Sequence, residues 1–308
     1  MLISTSIVIV LAIIAFLPFA IVAHVMPKAY EPEEVRGTQR ARFDDGTIRY
    51  QDAGDGDTAV LFLHGFNGQL SQWNAVWEQL EGCDCRRVRV DVPGFGGSDD
   101  WDTENFGLQA QAERIIALMD RLQIRKVTLV GTSMGGSLSA WIAARYADRV
   151  DRLALVAPSG FPGSLTLPGL YGKMTRPGTL NGAAKWIAHT PIYSTLFPGS
   201  RARQALTVTA DYGARWEAAL AQIRAPTLIL WSTQDDTTAF STAERVQEAI
   251  AGSALIRLDA ATGHLIPEAR PELLAHSVEL LIKGTPPADV AAALPDAVWR
   301  PGDQAPAG

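Results

Sequence analysis

The chain has 308 residues, 47% of them hydrophobic and 19% charged, with a formal net charge of −6 and a pI near 5.4. That length can bury a large core in one or two domains, and the acidic balance excludes the basic surface that nucleic-acid binding needs. The two cysteines, Cys83 and Cys85, stand one residue apart, too few and too close for a disulfide framework or a zinc site, so they are expected as packed or exposed thiols.

From Leu2 to Val25 there is no Asp, Glu, Lys or Arg, and the run from Ile7 to Ala23 is almost wholly apolar. With its flanks it is long enough for a bilayer core of ~30 Å, which needs about 20 residues. A cleaved signal peptide would carry a basic start and a shorter apolar stretch. Residues 1–27 are therefore expected to form a single-pass membrane anchor. Lys28, Arg36, Arg40 and Arg42 follow it, and the positive-inside tendency would put the next domain in the cytoplasm; the side of the membrane and any cleavage stay open.

After a polar stalk, Arg40 to Phe43, Asp44-Asp45-Gly46 and Thr47 to Gln51 give a hairpin signal. Val60 to Leu63 predicts a strand ending in His64-Gly65-Phe66, Ser71 to Leu80 a helix with Trp73, Val76, Trp77 and Leu80 on one face, and Val88 to Val92 a strand. Phe106 to Leu122 reads as an amphipathic helix. Strand Lys126 to Val130 then meets the helical run Ser137 to Tyr146 through Gly131-Thr132-Ser133-Met134-Gly135, and Val150 to Ala157 is a further strand. The alternation stops over about 161–213, rich in Gly, Pro and aromatics with scattered helical pieces, and resumes with strand Thr227 to Trp231, helix Ala243 to Ala251, strand Leu255 to Leu258 and helix Pro271 to Ile282. From residue 284 the Ala/Pro-rich composition can bury little surface apart from Val290, Leu294 and Trp299, and predicts a mobile tail with room for one short helix.

Strands alternating with helices imply an α/β fold with a mostly parallel central sheet, helices on both faces and a ligand site beyond the carboxyl ends of the strands. The irregular stretch is inserted at one such end, so a small, mainly helical cap is expected to roof the site. Ser133 falls where a strand turns sharply into a helix. Only small neighbours fit such a turn, which accounts for Gly131 and Gly135, and the turn leaves a serine hydroxyl clear of the backbone at a helix N-terminus.

A serine nucleophile needs a base in hydrogen-bond reach, and that base needs an orienting acid. Among five histidines, His264 lies in a loop after the last strand, the right place for a base, whereas His64 directly precedes Gly65 and reads as a structural histidine. Asp235 and Asp236 follow the strand ending at Trp231; either is a candidate acid, and both are also compatible with a solvated turn. An oxyanion hole needs two backbone donors, and the amide of Met134, directly after the serine, supplies one.

These segments together resemble the α/β-hydrolases, in the capped group of esterases, lipases and carbon–carbon bond hydrolases. The likeness spans roughly Phe43 to Ile282 and rests on His64-Gly65-Phe66, Asp91-Val92-Pro93-Gly94-Phe95-Gly96-Gly97-Ser98-Asp99, the Ser133 turn, Leu230 to Asp235, and Gly263-His264 followed by Glu268 to Pro271. The resemblance implies Ser133 as nucleophile, His264 as base, Asp235 rather than Asp236 as acid, the Phe66 amide as the second oxyanion donor, and no cofactor or metal. Serine at the turn argues against the dehalogenase and epoxide-hydrolase branches, which carry aspartate there; Ser232 departs from the glycine usual at its position. The expected activity is hydrolysis of a hydrophobic or lipid-like carboxylic ester through an acyl-enzyme. The alternatives are cleavage of a carbon–carbon bond in a ring-cleavage product and a non-catalytic accessory role.

Overall fold

The computed structural model describes residues 33–66, 68–98, 107–161, 212–258 and 262–294. The expected anchor at 1–27, nearly all of the expected cap and the far end of the tail lie outside them. Among the described residues no helix is long and apolar enough to cross a membrane.

Eight strands form one sheet: β1 (Thr38–Phe43), β2 (Gly46–Ala53), β3 (Ala59–Leu63), β4 (Arg86–Val90), β5 (Val127–Thr132), β6 (Val150–Val156), β7 (Thr227–Ser232) and β8 (Ala254–Leu258). Their order is β1-β2-β4-β3-β5-β6-β7-β8. β2 runs antiparallel to β1 and β4, and every other pairing is parallel. Composition explains the positions. β3, β5 and β7 are buried at every residue and so lie inside the sheet, while β1 keeps Arg40 and Arg42 exposed at an edge, where charge blocks pairing with another chain.

Helices α1 (Asn74–Gln79), α6 (Ile266–Ala269), α7 (Pro271–Ile282) and α8 (Pro287–Ala292) make one layer; α2 (Leu108–Arg121), α3 (Met134–Arg145), α4 (Ala214–Leu220) and α5 (Ser241–Ala249) make the other. A 3₁₀ turn, Leu70–Trp73, precedes α1 where the sequence suggested unbroken helix. α3 is buried from Met134 to Ala143, because it lies between α2 and α4 on top of β5 and β6. Register aligns Leu63 with Gly131, Gly131 with Leu155, Val156 with Leu230 and Leu230 with Ile256, so the loops after β3, β5, β6, β7 and β8 leave from one edge.

Two expectations need correction. Cys83 and Cys85 are joined in a disulfide rather than standing as thiols. The turn between α1 and β4 brings their α-carbons to 5.3 Å, inside bonding range despite the short spacing. The tail is also not free from its start. Gly284, at φ 88, ends α7: its N–H reaches the Leu281 carbonyl at 2.9 Å and the Thr285 N–H reaches that of Leu280 at 3.0 Å. α8 then packs on β7 and β8 with Val290 fully buried.

Candidate active site

β5 ends at Thr132 and α3 starts at Met134, leaving Ser133 alone at φ 52, ψ −116. Only glycine adopts such a backbone freely, and a residue with a β-carbon held there costs about 1–3 kcal/mol. The surroundings enforce it. The Ser133 N–H donates to the Val156 carbonyl at 2.9 Å, and its own carbonyl accepts the N–H groups of Ser137 and Ser159 at 3.0 and 3.1 Å. A β-carbon on Gly131 would strike the Gly135 carbonyl and Ser139 Oγ; one on Gly135 would strike the carbonyls of Leu63 and His64. The packing that forces the serine outward thus runs through both glycines.

The loop after β7 holds Asp235. Its Oδ1 accepts the N–H groups of Thr237 and Thr238 at 2.8 and 2.7 Å, and its Oδ2 accepts the Thr238 hydroxyl at 2.9 Å. The same Oδ2 accepts from His264 Nδ1 at 2.7 Å. Because a carboxylate only accepts, the ring proton sits on Nδ1 and Nε2 keeps its lone pair. Asp235 and His264 are both buried; Asp236 is exposed and takes the Thr237 hydroxyl at 3.0 Å. The structure therefore joins His264 to Asp235 and sets Asp236 apart. Ser133 stands on the same sheet edge, half-buried, and among the described residues its hydroxyl makes no hydrogen bond.

Opposite Ser133 is the loop after β3. A β-carbon added to Gly65 would stand 3.3 Å from that of Ser133, so this loop backs directly onto the serine. The Gly65 N–H donates to Gln72 Oε1 at 2.8 Å, and Gln72 Nε2 donates to Glu268 Oε1 at 3.1 Å. His64, fully buried, accepts the Val92 N–H on Nε2 at 3.0 Å and donates from Nδ1 to the Gly65 carbonyl at 2.7 Å. Both ring nitrogens are thus committed to backbone, as expected of a structural histidine. Phe66 packs edge-on against Phe95, and Met134 opens α3, where the first helical N–H groups lack intrahelical acceptors.

Behind Ser133, the Ser137 hydroxyl donates to the Ser159 carbonyl, and Ser159 Oγ and the Tyr212 hydroxyl lie 2.8 Å apart. Burial pushes the Tyr212 hydroxyl above its ordinary range, so it stays neutral. Further back, Asp91 on the chain after β4 is fully buried against Arg49 at 3.2 Å and accepts the Leu70 and Gly97 N–H groups, each at 2.6 Å. Its neighbour Arg89 stacks on Trp77, and burial lowers its guanidinium to about 10. Sequence reasoning missed Thr238, Gln72 and the Arg49–Asp91 pair. The one available signal was a threonine three residues after a loop aspartate, a common local hydrogen-bonding pattern. Among the described residues no three His, Cys, Asp or Glu side chains gather as a metal site would require.

A family model described as alpha/beta hydrolase fold matches residues 58–192. A 2-hydroxy-6-oxononadienedioate/2-hydroxy-6-oxononatrienedioate hydrolase of Pseudomonas putida is 26% identical over 248 residues, covering 70% of this chain and 86% of that one. The chain spans less than half the length of the first curated relatives it matches. Among solved structures, a bacterial membrane phospholipase A superposes with a TM-score of 0.64 at 22% identity, covering 91% of this chain and 96% of the other. A meta-cleavage product hydrolase from Pseudomonas fluorescens superposes with a TM-score of 0.61 at 21% identity, covering 78% and 95%. At such identities the superpositions speak for the fold alone. The sheet order, the strained serine between β5 and α3 and the match over 58–192 agree, and the chain has the α/β-hydrolase fold.

Proposed function

We propose that the chain is a serine hydrolase that cleaves a carboxylic ester of a hydrophobic, lipid-like substrate. The observation that carries this reading is the buried His264 Nδ1 to Asp235 Oδ2 hydrogen bond of 2.7 Å, formed on the sheet edge that also presents Ser133 in its strained turn. Ser133 Oγ attacks the ester carbonyl carbon while its proton passes to His264 Nε2, and Asp235 steadies the resulting imidazolium. Negative charge gathering on the carbonyl oxygen is met by the backbone amides of Met134 and Phe66. The intermediate collapses, the leaving alcohol takes the proton from His264, and Ser133 is left acylated. Water, deprotonated by the same imidazole, then releases the acid. Besides the substrate and water, no group beyond the chain's own residues enters this scheme. The apolar segment at 1–27, as a single-pass anchor, would keep the domain at a membrane surface where such esters concentrate.

A fluorophosphonate probe is expected to label the full chain at one site, with labelling lost in Ser133→Ala, and p-nitrophenyl esters to be turned over faster as the acyl chain lengthens. Failure of both labelling and ester turnover would reject the reading. The activity of the Pseudomonas putida relative favours a second one, hydrolysis of a carbon–carbon bond in a ring-cleavage product. Turnover of such a dienone, with indifference to every ester, would establish it over the first.

A further inference from the structure

Asp235 Oδ2 carries two donors. One is His264 Nδ1 at 2.7 Å, the other the Thr238 hydroxyl at 2.9 Å. Thr238 Oγ1 also lies 3.3 Å from His264 Nδ1, so all three atoms form a tight triangle. The shorter, charge-assisted contact takes the imidazole proton to the carboxylate, which leaves the hydroxyl hydrogen for Oδ2. Thr238 is itself held. It is fully buried, its N–H is spent on Asp235 Oδ1 at 2.7 Å, and its carbonyl accepts Trp231 Nε1 at 3.1 Å. The hydroxyl is thereby delivered by a rigid loop end rather than by a free side chain.

We propose that Thr238 is a positioning residue whose hydroxyl locks the carboxylate in the imidazole plane and draws charge from the oxygen that steadies His264. This rests on the reading of Ser133, His264 and Asp235 as a catalytic triad. Other ionisable groups stand on the neighbouring segments. Asp236 stands on the loop after β7, exposed and bonded to Thr237. Glu268 and Arg270 stand beyond His264, bonded to Gln72 and to Thr262 Oγ1. Ser133 stands on the same sheet edge, in the turn before α3. Among the described residues only Asp235 pairs with the ring, so the two donors on Oδ2 govern how strongly the imidazolium is held.

The test compares Thr238→Val, which keeps the shape and removes the hydroxyl, with Thr238→Ser, which keeps the hydroxyl, on the full chain. The readout is kcat and KM against pH for a p-nitrophenyl ester. Thr238→Val leaves more charge on Oδ2, holds the imidazolium more tightly and moves the acid limb of kcat/KM up by roughly half to one pH unit. The carboxylate, freed to turn, lowers kcat on the order of 3–10-fold with KM unchanged. Thr238→Ser restores both. An acid limb and kcat in Thr238→Val equal to those of the parent would overturn the proposal, as would equal losses in Thr238→Ser, since packing of the methyl group would then be responsible. If Thr238→Val fails to fold by circular dichroism, Thr238→Ala is read by the same criteria. Loss of fluorophosphonate labelling in the parent protein itself would instead reject the triad, and that is measured before any variant.

Discussion

Replacing Ser133 by glycine should make the protein more stable as it removes the reactive group. The backbone at Ser133 sits at φ 52, ψ −116, where a β-carbon costs about 1–3 kcal/mol. The serine hydroxyl makes no hydrogen bond among the described residues, so losing it costs little in the folded state. Glycine relieves the strain but frees the unfolded chain, which takes back about 0.5–1 kcal/mol. Ser133→Ala is the control, since it deletes the hydroxyl and keeps the β-carbon. The difference between the two variants is therefore about 0.5–2 kcal/mol in favour of glycine, at about 2–4 °C of melting temperature per kcal/mol for a domain of this size. Urea and thermal unfolding followed by far-UV circular dichroism measure it. A glycine variant no more stable than the alanine variant would mean that the turn at Ser133 stores no strain, and the account of Gly131 and Gly135 as its enforcers would fall with it.

Three further outcomes are expected. Asp91→Ala leaves Arg49 buried without its partner and strips acceptors from Leu70 and Gly97, so urea unfolding should show a loss of about 3–5 kcal/mol; a loss below about 1 kcal/mol would contradict the pairing. Asp235→Asn should lower ester turnover by about 10³–10⁴ and Asp236→Asn by less than about twofold, in a steady-state assay; the reverse order would exchange their roles. Val290→Ala should cost about 1–3 kcal/mol, since its side chain is fully buried under β7 and β8; an unchanged denaturation midpoint would return α8 to the free tail.

Most of the framework was legible because long-range order here follows local periodicity. β3, β5 and β7 are short apolar runs, α7 begins on Pro271 and stops before Gly284, and the Gly-x-Ser-x-Gly turn carries its own steric reason. Asp235 stood out from Asp236 only through the family resemblance, because no pattern tells which of two adjacent carboxylates a tight loop turns inward. What stayed hidden was pairing across sequence distance. Arg49 and Asp91 are 42 residues apart, and Gln72 and Glu268 are 196 apart. The Cys83–Cys85 bond was misread for a different reason: spacing alone does not report how closely a turn folds back on itself.

The hidden pairs also explain how irregular loops hold a fixed geometry. Loops lack a ladder of their own, so each backbone N–H near the site needs a partner from elsewhere. Asp91 takes the N–H of Leu70 at the start of the 3₁₀ turn, which sets the turn that carries Gln72. Gln72 then holds the Gly65 N–H with one end of its amide and Glu268, beyond His264, with the other. His64 ties the same Gly65 to Val92, next to Asp91. The buried charge of Arg49 and Asp91, costly as a source of stability, thus lies at the root of two separate loops that face Ser133. Replacing Asp91 alone by an apolar side chain of equal volume would leave Arg49 buried without its counter-charge and release the Leu70 and Gly97 N–H groups, so Asp91 is required by the core and by the loops it anchors alike.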